Sequence, residues 1–260
     1  MKLYFTRHGE TEWNLEHRVQ GQHNAQLTEK GETQALRLRR RLQGLAFTRV
    51  YTSPLGRARQ TADLLCEGTG IVPEPDERLA EVCLGDMEGQ LMNECPKDWV
   101  DAFYHAPERF FPDNGEGYEH AYSRVASFLG DLETEDGCVL VVAHALVLRL
   151  IRLYLLQRPI REMMDVSTPG CCFCEADYAG GQWTLRTFGD GRCQNPRYHP
   201  DRFAYFSWPE LTTFCPIGTT VSVFIEDVCV PGTIVHRLSS NGVVPLGPAE
   251  AFIPQSDPYL

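Results

Sequence analysis

The run Cys138-Val139-Leu140-Val141-Val142-Ala143 constrains the fold more than any other stretch of this chain. Six apolar residues without alternation suit a strand covered on both faces, as in a sheet flanked by two helical layers. The run stops at His144 and gives way to a helical pattern from Ala145 to Gln157. A second apolar, β-prone run covers residues 2 to 7 and ends at the polar Arg7-His8-Gly9-Glu10-Thr11. Phe47 to Thr52 reads as a third strand, with Ser53-Pro54 opening a helix because proline suits a first helical turn.

Between these strands lie helical patterns. Thr28 is a fitting N-cap for a helix whose face carries Ala35, Leu38, Leu42 and Leu45. Arg37, Arg39, Arg40 and Arg41 fall around that face and read as solvated cations. Leu55, Ala58, Ala62 and Leu65 form the buried stripe of the next helix. Gly89 to Pro112 mixes helix and loop, and Tyr118 to Leu132 is a further helix. Strands are expected near Cys171 to Tyr178 and Trp183 to Phe188. Strands alternating with helices point to a three-layer α/β/α sandwich. In such folds ligands gather beyond the carboxyl ends of the strands. His8, Ser53 with Arg57, and His144 all follow expected strand ends.

The last 68 or so residues differ, with several prolines, a β-like alternation at Thr219 to Val223 and a hairpin candidate at Val228 to Val235. The expected division is a catalytic domain over 1–192 and a small β-rich extension over 193–260, packed on the first because so short a segment is marginal alone. It could serve as a binding module, a lid or the contact of a homodimer.

Composition narrows the partners. A formal charge of −11 over 260 residues argues against nucleic acid and anionic membrane as partners, though a local arginine cluster can still hold an anion. No stretch reaches the ~20 apolar residues of a membrane span, and the short apolar N-terminus meets Arg7 at once, so a cytoplasmic location is expected. The ten cysteines then read as thiols. They lack the paired spacing of a zinc site, so no metal is expected.

The chemistry lies in the polar groups at the strand ends. A neutral imidazole such as His8 can attack phosphorus. Arg7 can pair phosphate oxygens through its planar fork, and Gly9 permits close backbone approach. Ser53 reads as a helix cap or as a donor behind the ligands. His17, His23, His105 and His120 carry no motif and read as solvated. No GxxxxGK[ST] loop, Cys-x5-Arg signature or HExxH pair is present, which disfavours nucleotide-driven and cysteine-phosphatase chemistry.

Five blocks in order resemble the histidine phosphatase superfamily, also called phosphoglycerate mutase-like or RHG, over roughly residues 1 to 190. They are Arg7 to Asn14, Leu27-Thr28-Glu29-Lys30-Gly31 with Gln34-Ala35, Ser53-Pro54-Leu55-Gly56-Arg57 through Ala62, Glu81 through Gly89, and Val141-Val142-Ala143-His144. The resemblance implies a mostly parallel sheet and a phosphohydrolase with His8 as nucleophile and Glu81 as general acid and base. Arg7, Asn14, Arg57 and His144 would bind the phosphoryl group of a small phosphorylated metabolite, without a cofactor. Asp86 and Glu88 are alternative carboxylates to Glu81.

Two guanidiniums and an imidazolium would supply the neutralising charge. Arg7 and Arg57 should keep His8 unprotonated and, in the empty pocket, keep Glu81 ionised until a dianionic phosphate reverses the field. Ala145 and Gly117 stand where relatives often carry Gly and a hydroxyl residue. The run Leu84-Gly85-Asp86-Met87-Glu88-Gly89 resembles the phosphatase branch. A cofactor-dependent mutase is the alternative and a non-catalytic phosphate-binding adaptor the second.

Overall fold

The computed structural model describes residues 1–194 and three strands at 220–225, 228–234 and 252–254. The chain divides into two units, Met1–Gln194 and Asn195–Leu260. The first runs β1 (Lys2–Arg7), α1 (Glu12–Leu15), α2 (Glu29–Arg41), β2 (Arg49–Thr52), α3 (Gly56–Cys66), β3 (Glu74–Pro75), α4 (Lys97–His105), α5 (Tyr118–Leu132), β4 (Cys138–Ala143), α6 (Ala145–Leu156), β5 (Phe173–Ala179) and β6 (Gln182–Asp190). The second unit contributes β7 (Thr220–Ile225), β8 (Val228–Ile234) and β9 (Phe252–Pro254), an antiparallel sheet in the order β7-β8-β9. The expected packing of the extension on the catalytic domain lies outside the described residues.

The first unit is a three-layer α/β sandwich. Its sheet has the order β3-β2-β4-β1-β5-β6, with β1, β2, β3 and β4 parallel and β5 antiparallel to both neighbours. Alternation along the strands divides the core. Leu3, Phe5, Val139 and Val141 join Val125, Phe128 and Leu129 of α5 and Val147, Leu150 and Ile151 of α6 in one buried cluster. Leu140 and Val142, with Val50 of β2, are buried on the other face. There α3 packs against β2 and β4, and α2 against α3.

Local chemistry sets the boundaries. Thr28 caps α2 by accepting the Gly31 N–H, with Glu29 and Glu32 in the first turn and Arg39, Arg40 and Arg41 in the last, favourable to the helix dipole. The helix ends at Arg41, so Leu45 lies beyond it. Nor does Ser53-Pro54 open a helix: Leu55 is the extended N-cap and α3 starts at Gly56. The Ser53 hydroxyl instead takes the Leu55 N–H at 3.2 Å. Phe47 precedes β2 and packs edge-on against Tyr4.

Arg41 corrects the reading of a solvated arginine face. Its side chain is 12% exposed, pairs with Asp190 at 2.7 Å and lies 3.9 Å above the Phe173 ring. Among the described residues no helix is long and apolar enough to cross a membrane.

Candidate active site

The register of three parallel strands assembles the site. Arg7 pairs with Ala143 and Thr52 with Val142, and the ladder continues one step further. The His8 N–H donates to the Ala143 carbonyl at 3.0 Å and the Ser53 N–H to the Val142 carbonyl at 2.9 Å. His8, His144 and Ser53 therefore stand side by side where β1, β4 and β2 end. The His8 and His144 rings meet edge-on with centroids 5.1 Å apart.

Gly9 lets the loop that carries His8 rest directly on α2. A Cβ there would fall 2.4 Å from the Gly31 carbonyl oxygen, and one on Gly31 would fall 2.1 Å from that of Glu10. The Gly9 N–H is held by the Thr61 hydroxyl at 3.2 Å, itself bonded to the Arg57 carbonyl. Thr61 was not singled out from the sequence, although it sits inside the block that contains Arg57.

His8 is 2% exposed. Its Nδ1 lies 2.7 Å from the Gly9 carbonyl, which accepts only, so Nδ1 carries the proton. Nε2 is left with its lone pair and accepts the Arg57 Nε–H at 3.2 Å. Burial first, then Arg57 and Arg7, push the pKa of His8 well below its ordinary 6.5, so the ring is neutral, as expected. Arg57 is 1% exposed, and its other nitrogens donate to the carbonyls of His23 at 2.6 Å and Gly21 at 2.7 Å. Burial pulls its pKa down to about 10, which leaves it charged at neutral pH. Arg7 donates from Nη1 to the Thr168 carbonyl at 3.0 Å, while its buried Nε has no partner.

His144 is fully buried, with Nε2 2.7 Å from the Ser53 hydroxyl and Nδ1 without a partner. The surroundings of His144 disfavour the expected imidazolium. Burial and then Arg57, His8 and Arg7 push its pKa well below 6.5, so the ring is neutral. Glu81, 7% exposed, accepts the Val82 N–H at 2.9 Å and, through its other oxygen, the Leu146 N–H at 3.3 Å. Leu146 lies in the first turn of α6, where backbone N–H groups favour an anion. Burial nevertheless outweighs these bonds and both arginines and raises the carboxyl above its usual 4.5. Desolvation thus opposes the expectation that the cations keep Glu81 ionised and is the largest single influence on it.

The alternative carboxylates are occupied elsewhere. Glu88 accepts the N–H groups of Gln22, His23 and Leu84, bracing the segment that carries Gly21 and His23. Asp86 is exposed and accepts from the Asn114 side chain. Asn14 differs from the other expected ligands. Its Oδ1 closes a capping box on the Thr11 N–H at 3.1 Å, so its recorded bonds are local to α1. Gly117 has a packing reason, since a Cβ there would fall 2.7 Å from the Phe111 ring. His17, His23, His105 and His120 are exposed. Among the described residues no group of three or more His, Cys, Asp or Glu could hold a metal ion.

What gathers beyond the strand ends is a neutral imidazole whose lone pair faces a guanidinium, the buried Arg57 and half-buried Arg7, a second imidazole and a carboxyl whose pKa burial raises. Comparison with known proteins agrees with that chemistry. The model of the histidine phosphatase superfamily (branch 1) matches residues 3–191. "Probable phosphoglycerate mutase GpmB" of Cronobacter sakazakii is 32% identical over 202 residues, spanning 73% of this chain and 93% of that protein. Among solved structures, YhfR of Bacillus stearothermophilus has a TM-score of 0.70 at 34% identity, covering 73% of this chain and 96% of its own. The alpha-ribazole phosphatase of Shigella flexneri has a TM-score of 0.68 at 28% identity, covering 74% and 97%.

Proposed function

This chain belongs to the histidine phosphatase superfamily, branch 1, and from that premise we propose that it is a phosphomonoester hydrolase working through a phosphohistidine on His8. One observation carries the reading. The Nδ1 of His8 is held on the Gly9 carbonyl, which leaves Nε2 unprotonated, its lone pair on the Nε–H of a buried guanidinium.

The steps follow from the geometry. An incoming phosphoryl group takes N–H donors of Arg57 and Arg7 and releases the Nε2 lone pair. Nε2 bonds to phosphorus as the ester P–O bond breaks, and Glu81 gives its proton to the departing alcohol oxygen. The Gly9 carbonyl stabilises the charge that develops on the ring through the Nδ1–H. Glu81, now a carboxylate, takes a proton from water, whose oxygen attacks phosphorus and breaks the P–N bond. Phosphate leaves, and His8 is neutral again. Phosphoryl transfer needs alignment and charge neutralisation, and the two arginines provide both without a metal. The depth of His8 and Glu81, 2% and 7% exposed, supports the slender ester of a small phosphorylated metabolite as substrate.

A phosphomonoester panel read by phosphate release, on wild type and His8→Ala, tests this. Turnover is expected only with the wild type, together with an acid-labile, base-stable phosphoenzyme. Equal turnover by both proteins would remove His8 as nucleophile. The printed name of the Cronobacter relative makes mutase activity the second reading. Interconversion of phosphoglycerates dependent on 2,3-bisphosphoglycerate, with little phosphate released, would favour it.

A further inference from the structure

Ser53 and His144 are both fully buried, and their bond admits a complete count of protons. The Ser53 oxygen already accepts the Leu55 N–H at 3.2 Å. Its own proton still needs an acceptor, and among the described residues the one partner able to accept it is Nε2 of His144 at 2.7 Å. With the proton on Nε2 instead, two buried groups would go unsatisfied: the serine proton and the Nδ1 lone pair. With the proton on Nδ1, a single unsatisfied group remains, the Nδ1–H itself. Buried polar groups are rarely left unpaired, so the second arrangement is favoured.

We propose that Ser53 is a positioning residue that fixes His144 as the Nδ1–H tautomer, so that the one unpaired proton of this buried pair is the one His144 gives to the phosphoryl group. The function of that proton rests on the hydrolase reading; the tautomer does not. Ser53 also opposes a second proton on the ring, because a protonated Nε2 would evict the serine proton from its acceptor. Arg7, Arg57, Arg124 and His8 act in the same direction. His144 therefore enters phosphate binding as a neutral donor, and the positive charge of the pocket resides on Arg7 and Arg57.

Long-range proton–nitrogen NMR of the wild type labelled with 15N-histidine tests the tautomer directly, with His144 assigned by comparison with His144→Gln. The expected spectrum at neutral pH has a protonated Nδ1 and an imine-type Nε2, both with and without inorganic phosphate. Added phosphate should move mainly the Nδ1 resonance. A ring protonated at Nε2 in either state, alone or together with Nδ1, would overturn the proposal. Ser53→Ala should weaken inorganic phosphate binding by about tenfold, the worth of one hydrogen bond to a charged group. Ser53→Thr, which retains the hydroxyl, should recover most of that loss. Folded Ala and Thr variants that bind phosphate equally weakly would also count against it, and the wild-type spectrum decides if either variant fails to fold. An inactive protein with the Nδ1–H ring would remove the hydrolase and leave the Ser53 assignment standing. A phosphohistidine enzyme with an Nε2–H ring would do the reverse.

Discussion

Replacing Arg57 by lysine keeps the charge and removes the fork. Arg57 is buried with three N–H groups in use, toward His23 at 2.6 Å, Gly21 at 2.7 Å and His8 at 3.2 Å. An ammonium is a single point on a flexible stem and cannot span all three. Two of these bonds are lost, at about 1.5 kcal/mol each for a charged donor, or about 3 kcal/mol in all. For a unit of this size that lowers the melting temperature by about 6–12 °C. In the proposed mechanism Arg57 serves the phosphoryl group, and losing its fork should cost kcat/KM a further ~100- to 1,000-fold. Thermal unfolding and steady-state kinetics on the best ester of the panel read the two effects separately. A lysine variant that melts early but keeps kcat/KM within threefold of wild type would refute the reasoning and reduce Arg57 to a brace for the loop around Gly21.

Burial raises the Glu81 carboxyl above 4.5, so its stabilising contribution is complete below the unfolded value and lost as pH rises through the folded one. In urea titrations wild type is therefore expected to gain stability relative to Glu81→Gln as pH falls from 7 toward 4, while kcat of the variant falls at least ~100-fold. Asp190 behaves oppositely. Burial alone would raise it, but bonds from Arg192 and Arg41 prevail and hold it below 3.8, so its contribution is present at neutral pH and lost as pH falls through that lowered value. Asp190→Asn should cost about 3 kcal/mol in a urea titration at pH 7, and less in acid. Gly9→Ala forces a Cβ to 2.4 Å from the Gly31 carbonyl, and both a stability loss of about 1–3 kcal/mol and a drop in turnover of tenfold or more are expected from melting and phosphate release.

Much of the fold was legible because apolar period and burial coincide. Tyr118–Leu132 and Cys138–Ala143 match their expected limits to the residue. The polar residues beyond β1, β2 and β4 meet as strand order predicts. The differences share a physical origin: sequence shows which charges are present but not how deeply each is buried. Glu81 is given a charge by its cationic neighbours and His144 one by its part in neutralising phosphate, yet desolvation is the largest influence on both. Arg41 looked solvated until the fold placed Asp190, distant in the chain, beside it. Pro54 suits a first helical turn, but Leu55 is extended at φ −70°, ψ 136°, which moves the helix start to Gly56. The capping box that Asn14 closes on Thr11 is a local device that a four-residue helix needs.

The glycine-on-glycine seat beneath the nucleophile has a consequence for divergence. Gly9 and Gly31 meet backbone to backbone, and the strand ladder continues into His8 through main-chain groups alone. Little of that seat depends on which side chains line the approach to the pocket. The segment between Leu91 and Tyr118 takes no part in that seat, whereas the stretch after Asn14 holds Arg57, and through it the His8 Nε2, by the carbonyls of Gly21 and His23. A mount of this kind lets one hydrolytic centre serve many diets.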